Sequence, residues 1–352
     1  MLKKIKAALL KILTNIKTRP FDRNQIRQII ILRYDRIGDM IVSLPLCKAL
    51  KTGIPSAEIT MVASNVNSCI SEESEFIDET IIKPNNILSW IHKLLILRSK
   101  RYDIGIDLNH AVAPHTVLAL RLLHPKHVAS PFKEGRWGVS GGELRMFDLM
   151  PAEHKLKYAR PISETYLDIA RLLNCPTVDC LPYPLKRYPR PSWPSSKYVV
   201  VNAAGSRGSM RIADKDLRII AAYIIELDPN MRILVPAMFE DYDHFTNLFC
   251  DTPNLTVLTP TSSILPLLAI IQFAKLVITP DTALVHIACA FEIPLIAVYT
   301  SDEELFQQWQ PLNGTSHSVV RSLEPKNLNG YSVSALLSLI DKTLGEQTQK
   351  IP

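Results

Sequence analysis

Asp39 closes the short polar run Tyr34-Asp35-Arg36-Ile37-Gly38-Asp39, which follows a buried apolar stretch and precedes an apolar helical pattern. A carboxylate at that place can take a proton from an attacking hydroxyl, or it can cap the helix that follows. Spacing alone weighs the two equally. Towards the other end, Pro280-Asp281-Thr282-Ala283 leads into a second apolar helix that carries His286. The first amides of a helix and the positive end of its dipole make such a turn a seat for an anion. Its bland alternative is an N-cap at Asp281 or Thr282 over a satisfied core histidine. Between these two places lies Ala203-Ala204-Gly205-Ser206-Arg207-Gly208-Ser209-Met210-Arg211. Arginines in a glycine-containing loop can grip a diphosphate bidentately; the alternative is a solvated basic loop.

The elements that must position these residues follow from periodicity. Residues 276–300 read as strand, tight turn, helix, turn and buried strand, with Pro280 stopping the first strand because it cannot donate to a ladder. That is a βαβ unit of a parallel sheet, and ligands of such sheets bind at the carboxyl ends of the strands. In the first half, 29–32 reads as a fully buried strand, and a helix over 40–51 must bend near Pro45. Strands at 58–62, 80–83 and 104–108 and helices at 87–100 and 162–173 continue the alternation. The second half opens on strand 198–202, with strands at 232–236 and 256–258 and helices at 214–227, 241–250, 264–274 and 332–344. Repeated strand-helix alternation predicts an α/β, doubly wound architecture. Six prolines between 176 and 194 predict a stiff connector. The expected organisation is a basic amphipathic segment 1–22, an α/β domain 23–175, a Pro-rich linker 176–196, a second α/β domain 197–330, and a C-terminal helix and tail 331–352.

Composition narrows the function classes. A length of 352 residues exceeds one typical core, so two domains are expected. A net charge of +6 suits an anionic ligand or surface, yet the basic residues are dispersed and no basic-aromatic module marks a nucleic-acid binder. The six cysteines form no CxxC pair and no metal-ligand spacing, which points to a reducing, cytoplasmic compartment. No run is long and apolar enough to predict a transmembrane helix. Residues 1–19 carry six Lys or Arg and no acid, while Leu2, Ile5, Leu9, Ile12, Leu13 and Ile16 share one helical face. That pattern predicts a basic helix on an anionic membrane surface; the alternative is a helix packed on the protein's own body.

Two signatures in the right order, ILRYDRIGDMIVSLPLCKALK and the Pro280 to His286 turn about 240 residues later, resemble glycosyltransferase family 9, the ADP-heptose lipopolysaccharide heptosyltransferases. The run Tyr102-Asp103-Ile104-Gly105-Ile106-Asp107-Leu108 is similar to the family as well. The resemblance implies a GT-B fold, two Rossmann-like domains facing across a cleft, and an inverting enzyme moving heptose from ADP-heptose to the lipopolysaccharide inner core. It implies Asp39 as the catalytic base, and a donor site of Ser206, Arg207, Arg211, Glu240, Asp281, Thr282, Ala283 and His286. Ala283 stands where the family usually has Gly, and Arg207 or Arg211 where many members have Lys. On charge grounds Arg33, Arg36, Lys133 and Arg136 are candidates for the phosphorylated or acidic acceptor sugar. No metal or other cofactor is required, the C-terminal helix is expected to return to the first domain, and the enzyme is expected at the cytoplasmic face of the inner membrane.

Competing classes are separable. A nicotinamide dehydrogenase lacks its glycine fingerprint here, and a serine hydrolase lacks GxSxG. A GT-B nucleotide-sugar epimerase shares the architecture, and a silent membrane-associated scaffold could keep the fold without the chemistry.

Overall fold

The computed structural model describes residues 2–15, 20–152, 160–194, 196–205, 208–312 and 316–348. Two compact units divide the chain, Met1–Pro184 and Leu185–Pro352. The break falls inside the proline-rich segment, whose two ends are anchored. Cys180 and Tyr183 are buried, and the backbone of Tyr188 exchanges two hydrogen bonds with the Gln272 amide at 2.8 and 3.0 Å.

The first unit runs α1 (Leu2–Thr14), β1 (Gln28–Leu32), α2 (Ile37–Ile41), α3 (Leu44–Gly53), β2 (Glu58–Ala63), α4 (Ser68–Glu72), β3 (Glu79–Ile82), α5 (Ile87–Leu97), β4 (Ile104–Asp107), α6 (Pro114–Leu123), β5 (His127–Ala129) and α7 (Ile162–Leu172). Its strands form one parallel sheet in the order β3-β2-β1-β4-β5. Side chains alternate across a strand. Ile30 and Leu32 therefore face the cluster that α1, α5 and α6 complete with Leu10, Trp90, Leu94 and Leu120. Crossovers between parallel strands are right-handed, so α3, running outward from β1 to β2, takes the opposite face, where it packs on α7.

The expected bent helix over 40–51 is two helices instead. The chain breaks at Val42-Ser43 and restarts, with Pro45 in the first turn of α3, where a missing N–H costs nothing. The basic N-terminal helix packs on the body through α6, burying Leu10 and half-burying Leu13, while Lys11 pairs with Glu143 at 2.6 Å. Leu2, Ile5, Leu9 and Ile12 stay exposed. Ile16, Lys17 and Arg19 lie outside the described residues.

The second unit runs β6 (Tyr198–Val201), α8 (Asp214–Leu227), β7 (Arg232–Pro236), α9 (Tyr242–Leu248), β8 (Leu255–Leu258), α10 (Leu265–Ile271), β9 (Val277–Pro280), α11 (Ala283–Phe291), β10 (Leu295–Tyr299), α12 (Glu303–Trp309), β11 (His317–Arg321) and α13 (Val333–Thr348). Its six-stranded parallel sheet has the order β11-β10-β9-β6-β7-β8, the doubly wound order of dinucleotide-binding sheets. The terminal helix is a member of this unit. α13 packs on α8, β10 and β11 and places Leu336 and Ile340 in the same core.

Candidate active site

In the first unit the order of strands reverses direction between β1 and β4, and a doubly wound sheet opens its crevice at that point. The loop after β1 supplies Arg33, Asp35, Arg36 and Asp39; the end of β4 supplies Asp107. Arg33 is the hub. Its Nη2 donates to Asp39 Oδ1 at 2.7 Å and to the Tyr166 hydroxyl at 2.9 Å, its Nε to the Asp39 carbonyl at 3.0 Å, and its Nη1 to Asp35 Oδ2 at 3.2 Å. The Arg33 side chain is only 3% exposed and Asp39 17%. Burial opposes the Arg33 charge, yet Tyr166, Asp39, Asp35 and Asp107 more than offset it and raise the pKa above the ordinary arginine value. The guanidinium is permanently charged.

Asp39 sits at the third position of α2 and its Oδ2 accepts the N–H of Arg36 at 3.2 Å. The N-cap is Arg36, not Asp39 as the alternative expected; Asp39 is its N3 partner in a capping box, and this does not exhaust the carboxylate, since each oxygen carries two acceptor sites. Asn67 braces the loop by donating to the carbonyls of Arg33 and Arg36 at 3.1 and 3.3 Å. What results is a partly exposed carboxylate held from two sides, a geometry suited to accepting a proton from a hydroxyl laid against it.

Of the four cations expected at the acceptor, two are exposed and two are internal. Arg36 and Arg136 lie at the surface, Arg136 stacked over Trp137 at 4.8 Å and donating to the Val112 carbonyl at 2.8 Å. Arg33 spends its donors on the loop itself. Lys133 is fully buried, with Nζ 2.8 Å from an equally buried Asp107 Oδ2 and bonded to the Asn109 carbonyl. A surface role does not hold for Lys133: it is an internal counter-ion, and burial lowers its pKa against the pull of Asp107.

In the second unit the reversal falls between β6 and β9, and the loops leaving both strands carry the expected donor residues. Thr282 caps α11 in extended conformation, its Oγ1 accepting the Leu284 N–H at 3.2 Å and lying 3.0 Å from Thr279 Oγ1. Asn202, just past β6, donates to Thr279 Oγ1 at 2.9 Å and to the Ala204 carbonyl at 2.9 Å. These contacts tie the two loops together. The amides of Thr282 and Ala283 head the helix, where no intrahelical acceptor exists for them. Asp281 stands beside them, half-buried, its N–H donated to the Val298 carbonyl at 3.1 Å. At Gly205 a Cβ would lie 1.8 Å from the Met210 carbonyl oxygen, so only glycine lets this loop close.

Ser206 and Arg207 lie outside the described residues. Arg211 is tethered, with Nη1 2.7 Å from Asp241 Oδ1 and its guanidinium 4.6 Å over the Phe245 ring. Part of its charge is thus met by the protein. Glu240 is exposed in the turn after β7, next to Met238 and Phe239, two large apolar side chains left 57% and 69% exposed. Sequence reading passed over this pair because isolated surface apolar residues are common; their position past a strand's carboxyl end is what makes them notable. Among the described residues no group of three His, Cys, Asp or Glu is placed to hold a metal ion.

His286 is buried in α11 with its ring 5.9 Å from that of Trp309, and burial pushes its pKa down to about 4. At neutral pH it carries no charge and contributes shape rather than a cation. Below its unfolded pKa of about 6.5 the unfolded chain binds a proton that the folded chain refuses until about pH 4. Stability therefore rises with pH across that window and is lost on acidification, by roughly 3 kcal/mol in total. His286→Gln should flatten the dependence of unfolding free energy on pH between 4 and 6.5. Parallel curves for the two proteins in denaturant titrations would show that the site tolerates imidazolium.

Comparison with known proteins bears on this geometry. Residues 242–330, which include β9, the Thr282 turn and α11, match the model of glycosyltransferase family 9 (heptosyltransferase). No curated protein matches the sequence. The fold is similar to that of the E. coli ADP-heptose LPS heptosyltransferase II, at 17% identity and a TM-score of 0.71 over 91% of this chain and 99% of that one. It is similar to a glycosyl transferase family 9 protein from Veillonella parvula, at 15% identity and a TM-score of 0.72 over 91% and 97% of the two chains. A third similar structure is the E. coli heptosyltransferase WaaC with ADP, at 17% identity and a TM-score of 0.68 over 90% and 99%. The fold is that of GT-B glycosyltransferases, and residues 242–330 within it match the glycosyltransferase family 9 (heptosyltransferase) model.

Proposed function

We propose that this protein is a glycosyltransferase that moves heptose from ADP-heptose to a sugar of the lipopolysaccharide inner core, with inversion, at the cytoplasmic face of the inner membrane. The observation that carries the reading is the Asp39 carboxylate, fixed by Arg33 and the Arg36 amide yet open to a further hydrogen bond. In the proposed step the acceptor hydroxyl oxygen attacks the anomeric carbon as its proton passes to Asp39. The bond from that carbon to the diphosphate oxygen breaks, and its electron pair leaves with ADP from the opposite face. The amides at Thr282 and Ala283 and the α11 dipole offset the charge that grows on the diphosphate. The same seat would hold the donor before reaction, with Ser206, Arg207 and Arg211 as further cation and hydroxyl contacts. Asp281 would face the sugar, with the buried His286 supporting α11 from beneath; Glu240 would face the ribose, and the exposed pair Met238-Phe239 would offer the adenine an apolar surface. Solved relatives holding ADP and ADP-2-deoxy-2-fluoro heptose support this choice of donor.

Incubation of the purified chain with ADP-heptose and heptose-deficient lipopolysaccharide tests the reading. The expected product is lipopolysaccharide heavier by one heptose, with stoichiometric ADP. Interconversion of the free donor without transfer would make the protein an epimerase, a class with a similar fold in Listeria monocytogenes (12% identity, TM-score 0.56). Neither reaction would leave a non-catalytic scaffold.

A further inference from the structure

We propose that α1 and α5 together form a face that docks on an anionic lipid bilayer, an inference that rests on the reading that the acceptor is carried by lipid. On α1 the exposed residues Leu2, Ile5, Leu9 and Ile12 fall at spacings of three and four, in one stripe turned away from the buried Leu10 and Thr14. On α5 the residues Ile87, Leu88, Leu95 and Ile96 are likewise exposed, while Trp90, Leu94 and Leu97 are buried. Both helices pack against α6 and enter one core cluster, so both stripes project from the same side of the first sheet. Two apolar stripes on one side of a unit exceed the scattered exposure that ordinary surfaces show.

Charge selects the occupant. Residues 2–14, 87–101 and 114–123, which are α1, α5 with the turn after it, and α6, carry nine Lys or Arg and no Asp or Glu. The helices on the other face of the sheet, α3, α4 and α7, carry three of each sign. A face whose helices carry only basic charges, with inserted apolar side chains, suits acidic headgroups over acyl chains. A second copy of the chain would set like charges against each other across a two-fold axis. Lys11 and Lys100 are paired with Glu143 and Glu79, yet both remain at the surface. The docking face places the base-bearing unit at the membrane, and α5 makes the contact broader than the N-terminal helix alone.

Co-sedimentation of the full chain with vesicles tests this. Wild type should bind phosphatidylglycerol/phosphatidylethanolamine vesicles, lose affinity as salt rises, and ignore phosphatidylcholine. The pairs Leu9→Glu with Ile12→Glu, and Leu88→Glu with Leu95→Glu, should each weaken partitioning by on the order of tenfold or more. Wild-type partitioning by the α5 pair, or equal binding to neutral vesicles, would overturn the proposal. So would a dimer in solution that the same substitutions dissolve. In detergent with dispersed heptose-deficient lipopolysaccharide, both variants should transfer heptose as wild type does. Absence of transfer by wild type there would remove the functional reading while leaving the vesicle result to stand by itself.

Discussion

Asp39→Asn should lower the turnover of the proposed transfer by on the order of 10²- to 10⁴-fold, the range over which a positioned general base acts. Asparagine keeps the side chain's shape and an oxygen for Arg33 but has no affinity for the acceptor's proton. The donor is assigned to residues 205–211 and 281–286 of the second unit, so its KM should change little, and far-UV spectra should be those of wild type. Arg33 also keeps Asp35 and Tyr166 as partners, which limits the loss of stability. Turnover within tenfold of wild type would mean that Asp39 serves only the capping box of α2.

Lys133→Met should cost about 3–5 kcal/mol of folding free energy, the cost of leaving a buried carboxylate without its partner. Neither Lys133 nor Asp107 has side-chain exposure, and water cannot take over the solvation of Asp107. Pairing the substitution with Asp107→Asn should recover much of the loss, since the neutral amide still serves Asn109, whose backbone and side-chain amides donate to Asp107 Oδ1 at 3.1 and 2.9 Å. Urea denaturation of the two single variants and the double measures the coupling. Simple additivity would mean that the two charges do not interact.

The frame was legible because buried parallel strands are short β-branched runs, and the expected strand at 232–236 is β7 to the residue. β5 escaped because three residues carry no pattern, and β11 because His317 and Ser318 on a half-buried edge strand read as loop. α6 and α12 were passed over as well; α6 lies between the 104–108 strand and the glycine-rich loop 132–142, in a stretch that offered no cap beyond Pro114. At the site, local turns were readable and long-range pairing was not. Lys133 looks like any cation of a Gly-rich loop until the fold brings it to Asp107, 26 positions earlier. Arg33 likewise reads as an acceptor contact, and Tyr166, 133 positions away, gives no hint that it completes the Arg33 shell. Asp39 was visible because its partners lie within six residues of it.

The cluster around Arg33 holds three carboxylates, Asp35, Asp39 and Asp107, against two cations, Arg33 and Lys133; Arg33 interacts with all three carboxylates, and Lys133 with Asp107 and Arg33. In formal charges the set is one negative in excess. A proton arriving at Asp39 would bring the set to electrical neutrality, the state a poorly hydrated interior tolerates best. Deprotonating a sugar hydroxyl would then discharge the enzyme's own surplus as the bond forms, and the resting site would regain it only when the proton escapes to water.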